Sequence, residues 1–144
     1  MRNYILSFTI LLTLLISACK SEGVTYTPPV LEGEWIVSMT QTGGIAGINR
    51  HIEIKSDGNY TIRSQNNNEE QKAKLSSDRL EKLKELIATL EVKNPQAIAV
   101  CADCFLYTIE IQTGGKKMIF EFDDITLPDS GAGDLVMFLQ KLFE

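Results

Sequence analysis

Side chains that build catalytic centres are scarce in this chain of 144 residues, which has one histidine, one tryptophan and three cysteines. A single imidazole, His51, excludes the His-Glu-x-x-His metal arrangement, and a Ser/His/acid triad would have to recruit that same ring. His51 falls in a stretch that reads as a strand, with no converging set of groups around it. Basic charge is also short, with 14 Lys+Arg against 19 Asp+Glu, which disfavours nucleic acid and polybasic docking to a membrane. No internal repeat is present. The expectation is a non-catalytic protein with no cofactor and no metal.

What the chain does have starts at its beginning. Arg2 precedes an apolar run from Ile5 to Ile16, broken only by Ser7, Thr9 and Thr13, and Ile16-Ser17-Ala18 leads into Cys19. A charged start, a short apolar core and small residues before a cut are the parts of a secretory signal. The segment resembles a bacterial lipoprotein signal with its lipobox. A retained membrane helix is the alternative, but the run is shorter than the ~20 residues needed to cross a bilayer. The resemblance implies removal of residues 1–18, a diacylglycerol on the Cys19 thiol and an acyl chain on its new amino group; several acyl chains anchor stably where one does not. It also implies the bacterial cell envelope, the outer membrane favoured over the inner in a Gram-negative cell, with the membrane as a partner through the lipid on Cys19. Loss of residues 1–18 leaves all 19 acidic residues and all but one of the 14 basic ones, so the mature protein is more acidic still. Residues 19–32, with Pro28 and Pro29 among small polar residues, read as the lipidated cysteine and a flexible tether. Residues 33–144 then make a single domain of ordinary small size.

Within that domain, Glu34 to Thr42 alternates with the period of a half-buried strand. His51 to Ser56 and Tyr60 to Arg63 flank Ser56-Asp57-Gly58-Asn59 and read as a hairpin, whereas Asn66 to Glu70 is too polar for core and reads as a loop tip. Ser76 or Ser77 caps a helix whose Leu80, Leu83, Leu86, Ile87 and Leu90 share one face. A second hairpin joins Phe105 to Gln112 with Lys117 to Asp123 through Thr113-Gly114-Gly115. Leu127-Pro128-Asp129-Ser130 supplies a breaker and a cap before a closing helix with Leu135, Val136, Phe138, Leu139, Leu142 and Phe143 on its apolar side. The expected fold is α+β, a small antiparallel sheet of about five strands with two helices packed on one face, in the order βββ-α-ββ-α. A lipocalin-like barrel, hinted at by Gly33-Glu34-Trp35, has too few strands and too many helices to compete.

Cys101-Ala102-Asp103-Cys104 has the spacing of thiol oxidoreductases and of zinc sites. Thiol oxidoreductases place such a pair at a helix N-terminus, which lowers the thiol pKa; this one runs into a strand. Zinc needs four ligands, and an acylated Cys19 leaves two cysteines. In an exported protein a local disulfide is the simplest reading, ahead of two unpaired cysteines and of redox or metal work. The acids Glu121, Asp123, Asp124, Asp129 and Asp134 lack the spacing of a calcium loop and read as a solvated turn with a helix cap.

The most unusual stretch is Gly43-Gly44-Ile45-Ala46-Gly47-Ile48-Asn49-Arg50, three glycines and two branched aliphatics between paired strands. One reading is a wide hairpin connection whose Ile45 and Ile48 tuck back over the sheet edge. The other is a loop that presents main-chain groups and aliphatic side chains to a partner. This run resembles the Gly-Gly-aliphatic-Ala-Gly-aliphatic-x-Arg segment of emfourin-like proteins, the protein inhibitors of thermolysin-like metallopeptidases such as protealysin. Asp103, Phe105 and Tyr107 before Ile109 and Ile111 resemble the family's Asp-x-Phe-x-Tyr strand, and Leu75, Leu83, Leu86 and Ile87, Gly114-Gly115, Pro128 and the closing helix fall in the same order. The resemblance implies a small α+β protein that occupies a metallopeptidase cleft, with Gly43, Gly44, Ile45, Ala46, Gly47, Ile48 and Arg50 as contact or loop-shaping residues and Asp103 and Tyr107 in support. The lipoprotein anchor and the Cys-x-x-Cys pair depart from the family prototype. A structural or ligand-binding envelope lipoprotein on the same scaffold is therefore the alternative.

Overall fold

Strand β2 (Trp35–Gly43) pairs along most of its length with β3 (Ile48–Lys55) on one side and β8 (Phe105–Thr113) on the other. It thereby joins the two hairpins that the turn residues predict. In the first, β3 meets β4 (Asn59–Ser64) across a turn where the Asn59 N–H donates to Asp57 Oδ1 at 2.9 Å. In the second, β8 meets β9 (Lys116–Asp123) across Gly114 and Gly115, both at the positive φ that a two-residue primed turn requires. The computed structural model describes residues 25–26, 30–65, 69–99 and 101–144. The signal at 1–18, Cys19 and most of the tether lie outside the described residues.

The fold is α+β, but its sheet exceeds the expected five strands and the element order differs. Among the described residues, seven strands run in the order β5 (Glu69–Lys74), β4, β3, β2, β8, β9, β7 (Gln96–Ala97), with the last pair parallel. Glu69 and Glu70, read as part of a loop tip, open β5 (Glu69–Lys74), which pairs with β4 at the sheet edge. An edge strand with solvent on both faces needs no apolar alternation, and its charges discourage further pairing, so β5 left no strand signal. At the other edge, β7 (Gln96–Ala97) is too short to show any period. Two more short strands, β1 (Thr25–Tyr26) and β6 (Val92–Lys93), pair with each other. Part of the stretch read as tether therefore belongs to the domain: the Tyr26 ring meets Phe120 edge-on at 5.7 Å, and Leu31 packs on the core.

Alternation decides which face is buried. Trp35, Val37 and Met39 of β2 share one face with Ile52 and Ile54, Ile109 and Ile111, and Phe120 and Phe122 on neighbouring strands. Helix α1 (Ser77–Ala88) adds Leu83 and Ile87, and α3 (Gly133–Gln140) adds Leu135, Val136 and Leu139 to the same cluster. Each fully buried side chain of this size contributes about 1.5–3 kcal/mol. The Ser76 Oγ accepts the Arg79 N–H at 3.4 Å and Asp78 lies in the first turn of α1, so that cap and dipole agree. A third, short helix, α2 (Leu127–Ser130), precedes α3. Gly131 separates them at φ 80°, where a Cβ would meet the carbonyl of Glu91.

Candidate functional site

The strand directions gather four connections at one end of the sheet: β2 to β3, β4 to β5, β7 to β8, and β9 to α2. The glycine-rich run lies there. Gly44 to Gly47 closes a tight turn through the Gly47 N–H and the Gly44 carbonyl at 3.0 Å. Ile45, at its tip, is 92% exposed, so it does not tuck back over the sheet edge. Ile48 is half-buried at the start of β3. Ala46 and Gly47 are exposed.

The base of this turn rests on the cysteine segment. Gly43 pairs with Phe105 across β2 and β8, and the Gly44 N–H donates to the Cys104 carbonyl at 3.2 Å. That same carbonyl fills the space where a Gly43 Cβ would stand, while a Gly44 Cβ would come within 2.5 Å of the Phe105 ring. Cys101 and Cys104 form a disulfide, with their Cα atoms 5.5 Å apart. Asp103 is exposed between them.

Two aspartates that composition assigned to a solvated turn organise the rest of this end. The Asp123 carboxylate accepts the N–H groups of Ile125 at 3.0 Å and Thr126 at 2.9 Å, and also that of Ala99. Desolvation pushes its pKa up, and the hydrogen bonds from Thr126, Ala99 and Ile125 outweigh that, leaving it below the ordinary aspartate value. Asp124 accepts the Phe105 N–H at 2.8 Å through Oδ2 and the Tyr107 hydroxyl at 2.8 Å through Oδ1. Burial, with help from Asp124, raises the Tyr107 pKa to about 12. Ile98 and Ile125, 53% and 56% exposed, follow β7 and β9 at this same end of the sheet. Sequence reading missed both isoleucines and the organising aspartates; only knowledge of the β7–β9 pairing would have brought Ile98 beside Asp123.

Arg50 lies inward from the turn. Its Nε donates to the buried Gln41 Oε1 at 3.0 Å, and its guanidinium carbon is 4.3 Å from the centre of the Phe143 ring. Desolvation by burial lowers its pKa, and charge interactions with Tyr107 and Glu144 oppose that. Arg50 thus ties β3 to Gln41 of β2 and to Phe143.

His51 is on the opposite face of β3, with Nδ1 2.9 Å from Thr40 Oγ1. Burial lowers its pKa, Glu53 and Glu110 oppose that, and Arg63 adds to it. Among the described residues no group of three or more His, Cys, Asp or Glu side chains is placed to hold a metal ion, and no helix is long and apolar enough to cross a membrane. A cleft of about 690 Å³ opens at the other end of the sheet between Asp57 and Gly114, walled by Trp35, Lys55 and Lys116. Its Asp57 carboxylate is already engaged by Asn59 at 2.6 Å. No family model matches this chain, and no curated protein matches it.

Proposed function

We propose that this is a membrane-anchored lipoprotein of the bacterial envelope, without catalytic activity, that binds and inhibits a thermolysin-like metallopeptidase through its glycine-rich loop. The observation that carries this reading is the adjacency of Gly43–Arg50 and Asp103–Tyr107. These two segments bear the family resemblance, are far apart in the chain, and meet where Gly43 pairs with Phe105. Ile45 stands out from their junction into solvent. An exposed aliphatic side chain at the tip of a loop held by a rigid sheet has the form of a binding element. Its turn is closed by a hydrogen bond, so it resists being drawn into the extended form in which peptides add to a sheet edge.

Titration of the purified full-length protein against a thermolysin-like peptidase, with serine and cysteine peptidases as controls, tests the reading. Loss of metallopeptidase activity at about one equivalent, the stoichiometry of a one-site complex far above its Kd, is expected. Undiminished activity in the presence of folded, oxidised protein would overturn it and leave a structural or ligand-binding lipoprotein.

A further inference from the structure

We propose that the Cys101–Cys104 disulfide is a redox-sensitive clamp on the Gly43–Ile48 loop, so that its reduction by a dithiol loosens the loop and weakens partner binding. The binding half of this proposal rests on the inhibitor reading; the clamp itself does not. The Cys104 carbonyl performs two tasks at once, accepting the Gly44 N–H at 3.2 Å and filling the space beside Gly43. Anything that moves the Cys104 backbone therefore moves the base of the loop. The segment is tied by Ala99 to Asp123 on one side and by Phe105 to Asp124 on the other. Between those ties the disulfide is the covalent restraint, closing a ring over a sequence separation of 3. Both cysteines are half-buried and flank the exposed Ala102 and Asp103, so a small dithiol has access.

The chemistry is thiol–disulfide exchange. A thiolate of the dithiol attacks one cysteine sulfur, forming a mixed disulfide and breaking the Cys101–Cys104 bond. The second thiol of the reagent then displaces the attached cysteine. Two electrons pass to the cysteines, which take up two protons and end as thiols, and the dithiol leaves as its own disulfide. The reaction reverses when an oxidant of the disulfide class is supplied, because the two thiols remain neighbours in the chain.

Amide hydrogen exchange on the full-length protein, oxidised and after dithiothreitol with the free thiols counted, reads the clamp directly. The expected result is exchange about tenfold faster at Gly44 and across residues 45–48 after reduction, the effect of losing one backbone hydrogen bond. The amides of Ile109 and Ile111, deeper in β8, keep their rates. A Cys101→Ser/Cys104→Ser double variant should match the reduced protein without any reductant. Equal exchange at Gly44 in both states would overturn the clamp. Faster exchange with peptidase inhibition by neither form would overturn the inhibitor reading and leave the clamp standing. Equal inhibition by both forms would overturn the regulatory half alone.

Discussion

The guanidinium of Arg50 stacks on the ring of Phe143, the penultimate residue of the chain, at 4.3 Å. Through its Nε it also satisfies the buried carboxamide oxygen of Gln41. Arg50→Lys removes the directed bond to Gln41 and the planar stacking, because an ammonium is a point charge on a flexible stem. A loss of about 1–3 kcal/mol in urea denaturation is expected, the usual cost of an acceptor left unpaired in the interior. Unchanged stability would mean that Gln41 finds another donor.

Ile45→Asp separates binding from folding. With Ile45 92% exposed, the substitution should change stability by no more than about 0.5 kcal/mol, as surface changes do. Peptidase inhibition should nevertheless disappear. A variant that melts normally and still inhibits fully would remove Ile45 from the interface.

Gly43 and Gly47 both adopt positive φ, at 100° and 59°, yet their surroundings differ. A Cβ at Gly43 meets the Cys104 carbonyl, and one at Gly47 meets nothing within 4 Å. Gly47→Ala should cost about 1–2 kcal/mol, the left-handed backbone penalty. Gly43→Ala should cost more, because it also drives the cysteine segment away. Thermal melts of the two variants side by side check the order, and equal losses would refute the contact.

Tyr107 and Asp123 set opposite ends of the stability profile. The Tyr107 pKa is raised to about 12, so its contribution is complete below the unfolded tyrosine value of about 10 and is lost as pH rises through the folded value. The Asp123 pKa is lowered, so its contribution is present above the unfolded aspartate value and is lost as pH falls through the folded value. Melting temperatures across pH should fall at both extremes. Tyr107→Phe should flatten the alkaline limb, and Asp123→Asn the acid limb; limbs that persist unchanged would assign them to other groups.

Much of this arrangement is legible in the order of the amino acids. The Ser56-Asp57-Gly58 and Gly114-Gly115 turns, the face shared by Leu83 and Ile87, and the alternation of Trp35, Val37 and Met39 are local patterns, and each element formed where its pattern stands. The Cys101–Cys104 disulfide, the simplest of the readings that the spacing left open, is present in the structure. The β5 strand was not legible, because Glu70 and Lys72 at an edge bury nothing and so carry no period. Nor was the third helix, whose four residues are too few for one.

Hydrophobic period and turn chemistry act over a few residues, so the linear order of amino acids sufficed for the two hairpins and the two longer helices. Pairing between distant strands depends on which surfaces fit together after collapse, and no local pattern encodes it. The alignment of β2 with β8 brought Gly43 against Phe105 and put the Cys104 carbonyl beneath the loop. The parallel pairing of β7 with β9 carried Ile98 to the end of the sheet where Asp123 and Ile125 lie. The candidate site is made of these long-range contacts, which exist only once the chain has folded.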